Sequence, residues 1–258
     1  VLETVKKYQK DLSAIIVEPV QANCGVVLPK EEFLQSLRKI ADKYNIVLIF
    51  DEVITGFRLS YAGAQGYFDV KPDLTCLGKI IGGGLPIGAF GGKKEIMQLL
   101  APEGPVYQAG TLSGNPVAVS AGIATLNILK KDNPYPGLEI KAKEFCEKIG
   151  EKAKDFKIKL KVNHIGSMFS LFFTDREVVD FSSAKTQDSK LFKKFFHSLL
   201  KNGVYFSPSG FEANFLSAAH SAEDLDKTLE FIETVLKSLR SASTSLSTST
   251  RSILSERS

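Results

Sequence analysis

The sequence predicts an α/β protein, a mostly parallel sheet covered by helices and followed by a smaller α+β domain. Three observations carry this. SAIIVEP (13–19) and IVLIF (46–50) are short continuous apolar runs rather than alternating ones, as strands buried on both faces are. Between them, KEEFLQSLRKIADKYN (30–45) places Phe33, Leu34, Leu37, Ile40 and Ala41 at helical spacing. Beyond DNPYPG (132–137) the alternation of strand and helix gives way to helix, strands, helix, strand and helix.

In chain order, residues 2–10 read as the end of a charged helix, and the strand at 13–19 stops at Pro19. QANCGVVLP (21–29) is a loop punctuated by Gly25 and Pro29. After the amphipathic helix and IVLIF, DLTCLGK (73–79) and PIGAFGGK (86–93) read as two further strands, then KEIMQLL as a brief helix. Gly114-Asn115-Pro116 opens a long helix of small residues, 116–131. DNPYPG breaks the pattern, so 1–132 is expected to be one domain and 133–240 another. The second reads as a charged helix (137–153), strands at 157–162 and 167–173, the helix SKLFKKFFHSLLKNG, and strands VYFS (204–207) and NFLSAA (214–219). A last helix, 221–240, starts at Ser221 with Asp224 three residues on, a capping-box pattern. Residues 241–258, SASTSLSTSTRSILSERS, are Ser/Thr-rich and aperiodic and read as a disordered tail.

At 258 residues the chain is long enough to bury a sizeable core. A net charge of +4 with lysines interspersed among acids does not point to nucleic acid or a membrane surface. No apolar run approaches the roughly 18 residues of a membrane span. Cys24, Cys76 and Cys146 form neither a disulfide framework nor a zinc pattern, and His164, His197 and His220 are scattered, so no metal site is expected. This cysteine usage suits a reducing compartment, the cytoplasm, or a plastid in a photosynthetic eukaryote.

The chemistry concentrates at residues 46–92. Ligands of open parallel sheets bind outside the carboxyl ends of the strands. Asp51 follows IVLIF directly, so it either meets a cationic ligand in such a crevice or caps a turn with Glu52 solvated beside it. Lys79 ends the next apolar run; held partly buried, a lysine becomes a nucleophile able to form a Schiff base, and otherwise it is an ordinary surface charge. Gly82-Gly83-Gly84 behind it permit close backbone approach but match neither nucleotide-binding glycine pattern. Thr111, Ser113 and Asn115 either donate to a phosphate at the start of the following helix or cap that helix.

Taken together, EPV (18–20), FDEVITGFR (50–58), PDLTCLGKIIGGGLPIGAFGG (72–92) and YQAGTLSGNPVA (107–118) resemble the class III, pyridoxal-phosphate-dependent aminotransferases of fold type I, over about residues 1–240. The resemblance implies that 1–132 is the C-terminal part of the large cofactor-binding domain and 133–240 the small domain. It implies pyridoxal 5′-phosphate as cofactor, with the pyridoxamine form in the cycle. Asp51 would bind the pyridine nitrogen, Val53 would pack on the ring, and Lys79 would carry the cofactor as a Schiff base and shuttle the proton. Asn23 would lie near the phenolic oxygen. Thr111 would reach the phosphate of the neighbouring subunit's cofactor, which implies a homodimer with a shared site. Glu212, in PSGFEANFLS, matches an acid of the family's aminomutase branch. GVYFSPSGFEANFLSAAH (203–220) has no arginine to bind a substrate carboxylate bidentately, which favours that branch over its two-substrate aminotransferases. The implied reaction converts (S)-4-amino-5-oxopentanoate into 5-aminolevulinate for tetrapyrrole synthesis. The alternatives are another class III ω-aminotransferase or an inactive fragment. The sequence begins with Val, after the Gly-Ser/Thr phosphate cup that the resemblance implies, so the 258-residue polypeptide alone is expected to bind cofactor poorly and to be inactive.

Overall fold

The computed structural model describes residues 1–255, with side chains described as far as Ser241. The chain forms two compact units, Val1–Gln21 with Leu28–Pro136, and Ala22–Val27 with Gly137 onward. The boundary thus falls a few residues beyond 132/133, and the hexapeptide 22–27, read from sequence as a loop of the first domain, belongs to the second unit. Its backbone partners explain why: Gly25 N–H donates to Phe211 O and Val26 N–H to Ser170 Oγ.

The first unit is built on a four-stranded sheet in the order β1 (Ala14–Val17), β2 (Val47–Glu52), β3 (Leu74–Leu77), β4 (Ala89–Gly92). β1, β2 and β3 are parallel, and β4 runs antiparallel to β3, so the sheet is mixed and mostly parallel. Helices α1 (Leu2–Tyr8), α2 (Phe33–Tyr44), α3 (Gly63–Tyr67), α4 (Lys94–Met97) and α5 (Pro116–Asp132) complete it. Leu34, Leu37 and Ala41 of α2 pack with Leu48, Phe50 and Val70 as the core. Phe33, placed on the apolar stripe by its spacing, is exposed, because α2 starts on it rather than at residue 30. Asn45, in left-handed conformation, closes α2 by donating its N–H to the last-turn carbonyls.

A buried acid pins the sheet's other end. Asp73, 3% exposed, accepts from Leu48 N–H at 2.7 Å and Arg38 Nη1 at 2.9 Å, with Lys93 Nζ 2.6 Å away. Burial pushes its pKa up, but Lys93, the Leu48 amide and Arg38 together outweigh that and hold it below the usual carboxylate value.

The second unit packs α6 (Tyr135–Asp155, from Gly137), α7 (Phe181–Ala184), α8 (Ser189–Lys201) and α9 (Ala222–Ser255) with an antiparallel sheet, β5 (Lys161–Ile165), β6 (Met168–Phe172) and β7 (Asn214–Phe215). Its core is aromatic-rich: Phe145, Phe169, Phe173 and Phe195 meet Ile149, Ile232 and Leu236. Ser221 and Asp224 exchange side-chain and backbone hydrogen bonds ahead of α9, as the capping pattern predicts. Three expected strands fare differently, and the one read at 157–162 forms at Lys161–Ile165. VYFS has no strand assignment and NFLSAA shortens to two residues, because the hydrogen bonds around them go to side chains: Ser207 N–H donates to Asn214 Oδ1 and Ser207 Oγ to Ala213 O. The run 241–258, expected to be disordered, continues α9 as far as Ser255, and 256–258 lie outside the described residues. Extending a formed helix costs far less than nucleating one, and the run contains neither Gly nor Pro. No helix among the described residues is long and apolar enough to cross a membrane.

Candidate cofactor site

The two acids that end β2 do different jobs because a strand alternates its side chains. Glu52 shares the fully buried face with Leu48 and Phe50. Its carboxylate accepts from Ala64 N–H, Gln65 N–H (3.1 Å), Gln65 Nε2 (3.0 Å) and Thr55 Oγ1 (3.1 Å), which folds residues 53–65 back under the strand end. A side chain at Gly63, where φ is +67°, would collide with it. Glu52 is therefore an internal anchor, and the alternative that left it solvated is overturned: its face of the strand points into the core.

Asp51 lies on the opposite, half-buried face, in register with Cys76 of β3. One oxygen accepts from Val53 N–H at 3.1 Å; the other has no hydrogen-bond partner among the described residues. Desolvation, and then the charge of Asp51, raise the pKa of the Cys76 thiol, which keeps that sulfur protonated beside the carboxylate.

β3 ends at Leu77, and Lys79 heads a short 3-10 turn, Lys79–Gly82, directly beyond it. Of the two readings left open for the lysine, partly buried or at the surface, it is exposed, and its backbone is left-handed at φ +49°. A non-glycine residue there costs of order 1 kcal/mol or more and is found where surrounding structure enforces it. The enforcement is visible. Gly122 of α5 comes so close that a Cβ on it would stand 2.1 Å from Ile81 O, and a Cβ on Gly83 would meet Ala121 and Thr125. On the other side, Val53 lies against Gly78, where an added Cβ would be 3.3 Å from Val53 Cγ1. Asp51, Val53 and Lys79 are thus gathered at the carboxyl ends of two adjacent parallel strands. No ion pair to the Lys79 amine occurs among the described residues.

Thr111 is exposed in the segment leading to α5. Of the residues beside it, Asn115 proves to be the helix cap, its Oδ1 accepting from Val117 and Ala118 N–H. Asn23 and Glu212 belong to the second unit, and both are exposed. Glu212 lines a cavity of about 500 Å³ with Asn214, His220 and Asp224. No cluster of His, Cys, Asp and Glu suited to a metal occurs among the described residues.

The residues fit a pyridoxal-type cofactor: a carboxylate with an open oxygen, an amine without an ion pair among the described residues, and an apolar side chain against Gly78. Comparison with known proteins agrees. The chain is 55% identical over 236 residues to a protein named glutamate-1-semialdehyde 2,1-aminomutase from Thermodesulfovibrio yellowstonii, covering 92% of this chain and 55% of the relative. It therefore spans about half the length of the curated relatives it matches. An ω-transaminase from Sphaerobacter thermophilus superimposes with TM-score 0.85 at 28% identity, over 92% of this chain and 55% of that one. A glutamate-1-semialdehyde aminomutase from Pseudomonas aeruginosa, solved in complex with PMP, shares the fold with TM-score 0.81 at 24% identity, over 93% and 55% of the two chains. With the family model for class-III aminotransferases matching residues 1–236, the chain belongs to the class-III aminotransferase family.

Proposed function

We propose that this chain is part of a glutamate-1-semialdehyde 2,1-aminomutase, which converts (S)-4-amino-5-oxopentanoate to 5-aminolevulinate with pyridoxal phosphate as cofactor. The observation that carries the reading is the placement of Asp51 and Lys79 at the ends of β2 and β3 with Val53 at the turn between them. The family membership supports it, as do the curated relatives bearing that name at 50–55% identity. Bound there, the cofactor supplies an electron sink for charge leaving the substrate carbon.

The roles are those that the family resemblance implies. Asp51, with one oxygen committed to Val53 N–H and one open, would hold the proton on the ring nitrogen. Val53 would cover the ring. The Lys79 amine would hold the cofactor, and would move the proton at the substrate carbon as general base and acid. By the same resemblance, Asn23 would donate to the phenolic oxygen and Glu212 would serve the substrate. Thr111 would donate to the phosphate of a cofactor in a second copy, which would make the enzyme a homodimer. The cytoplasm, or a plastid, suits the free cysteines.

An ω-aminotransferase is the second reading, favoured by the likeness to the Sphaerobacter enzyme. One assay separates the two. The protein expressed from its complete coding sequence is given (S)-4-amino-5-oxopentanoate alone. An aminomutase forms 5-aminolevulinate over many turnovers with no keto acid present, whereas turnover that appears only when pyruvate is added identifies an aminotransferase.

A further inference from the structure

β6 is buried at every position, and four of its five residues, Met168, Phe169, Leu171 and Phe172, are apolar. The fifth, Ser170, is 0% exposed. A hydroxyl in such a strand destabilises the fold unless it is hydrogen-bonded. Ser170 spends its hydrogen-bonding capacity on two distant segments. Its Oγ accepts from Val26 N–H at 2.9 Å and donates to Glu212 O at 3.0 Å. Those partners lie 144 and 42 residues away in sequence and belong to the two short segments that carry Asn23 and Glu212.

The surrounding contacts make this a junction. Asn163, directly opposite Ser170 in the β5–β6 register, donates from Nδ2 to Val26 O at 2.9 Å and to Val178 O at 2.9 Å. The cross-strand pair Asn163–Ser170 therefore fixes both the N–H and the carbonyl of Val26. Gly25 N–H donates to Phe211 O, so the two segments also bond to each other. Gly25 has φ +82° and lies on the Phe172 ring, where a Cβ would come within 2.3 Å.

We propose that Ser170 is a positioning residue whose single buried hydroxyl ties the segment bearing Asn23 to the segment bearing Glu212. This rests on the aminomutase reading for its functional meaning, though the structural tie stands apart from it. Without the hydroxyl, Val26 N–H is left unpaired in the interior and Glu212 O loses this donor, and both segments loosen together. Misplacing groups at a reacting centre by an ångström costs up to about a hundredfold in rate.

The test uses the protein from its complete coding sequence and compares Ser170→Ala with Thr174→Val. Thr174 is also buried and follows β6, but its hydroxyl bonds to Thr186 and to Arg176 N–H, not to either segment. Amide hydrogen exchange is expected to quicken about tenfold or more in both 22–27 and 208–213 in Ser170→Ala, and in neither in Thr174→Val. In the same Ser170→Ala protein, kcat for 5-aminolevulinate formation falls about tenfold or more, with KM changed much less. Exchange that quickens in one segment only, in neither, or equally in Thr174→Val overturns the tie. Coupled exchange with an unchanged kcat overturns the positioning role. If exchange behaves as expected and the wild-type protein forms no 5-aminolevulinate, the tie stands and the aminomutase reading falls.

Discussion

Asp51 and Glu52 are neighbours in sequence with opposite fates, and the pleat of one strand decides them. Composition and position identify Asp51 as the acid at a strand end, and its half-buried face agrees. Nothing local reveals that Glu52 is fully buried, because its four donors come from residues 55, 64 and 65, beyond a turn that the sequence does not announce. Ser170 and Asp73 are illegible for the same reason: the partners that give them meaning are remote. Asp73 supports a specific expectation. Because its folded pKa lies below the unfolded value, it stabilises the protein at pH above that unfolded value, and the contribution is lost as pH falls through the folded pKa. Asp73→Asn should cost about 2–3 kcal/mol at neutral pH, with Lys93, half exposed, discounted for solvent screening. The gap between wild type and variant, followed by urea denaturation across pH, should close as pH drops below roughly 4. A gap independent of pH would refute the ionic origin.

At the scale of elements, strand and helix order was readable wherever apolar period and punctuation were strong, as in β1, α2, β2, β3 and α5. It failed where side chains capture the backbone, as at residues 204–207, and where a short segment joins a distant unit, as at 22–27. α5 shows how an element acts on the site. Its composition of small residues marks it in sequence, and the structure explains the need: Gly122 lets the helix approach the turn that begins at Lys79. Alanine in place of a mid-helix glycine ordinarily stabilises by about 1 kcal/mol. Here the sign should reverse, because a Cβ at 122 would overlap Ile81 O, and Gly122→Ala should destabilise by about 1–3 kcal/mol in chemical denaturation. A stabilised variant would show that the close approach is relaxed in solution and that α5 does not brace the turn.

For the whole molecule, the family-level conclusion was accessible from four sequence motifs spread over residues 18–118, and the match over residues 1–236 agrees with them. The two units divide the candidate residues, with Asp51, Val53, Lys79 and Thr111 in the first and Asn23 and Glu212 in the second. The account rests above all on Lys79 as the point of cofactor attachment. Lys79, exposed and left-handed in backbone at the end of β3, carries that role as a proposal. The most direct measurement is borohydride reduction of the cofactor-loaded protein expressed from its complete coding sequence, followed by peptide mass mapping. The pyridoxyl group is predicted on Lys79 and should be missing from a Lys79→Ala variant. Stable labelling of a different lysine in the wild-type protein, or none at all, would contradict the account.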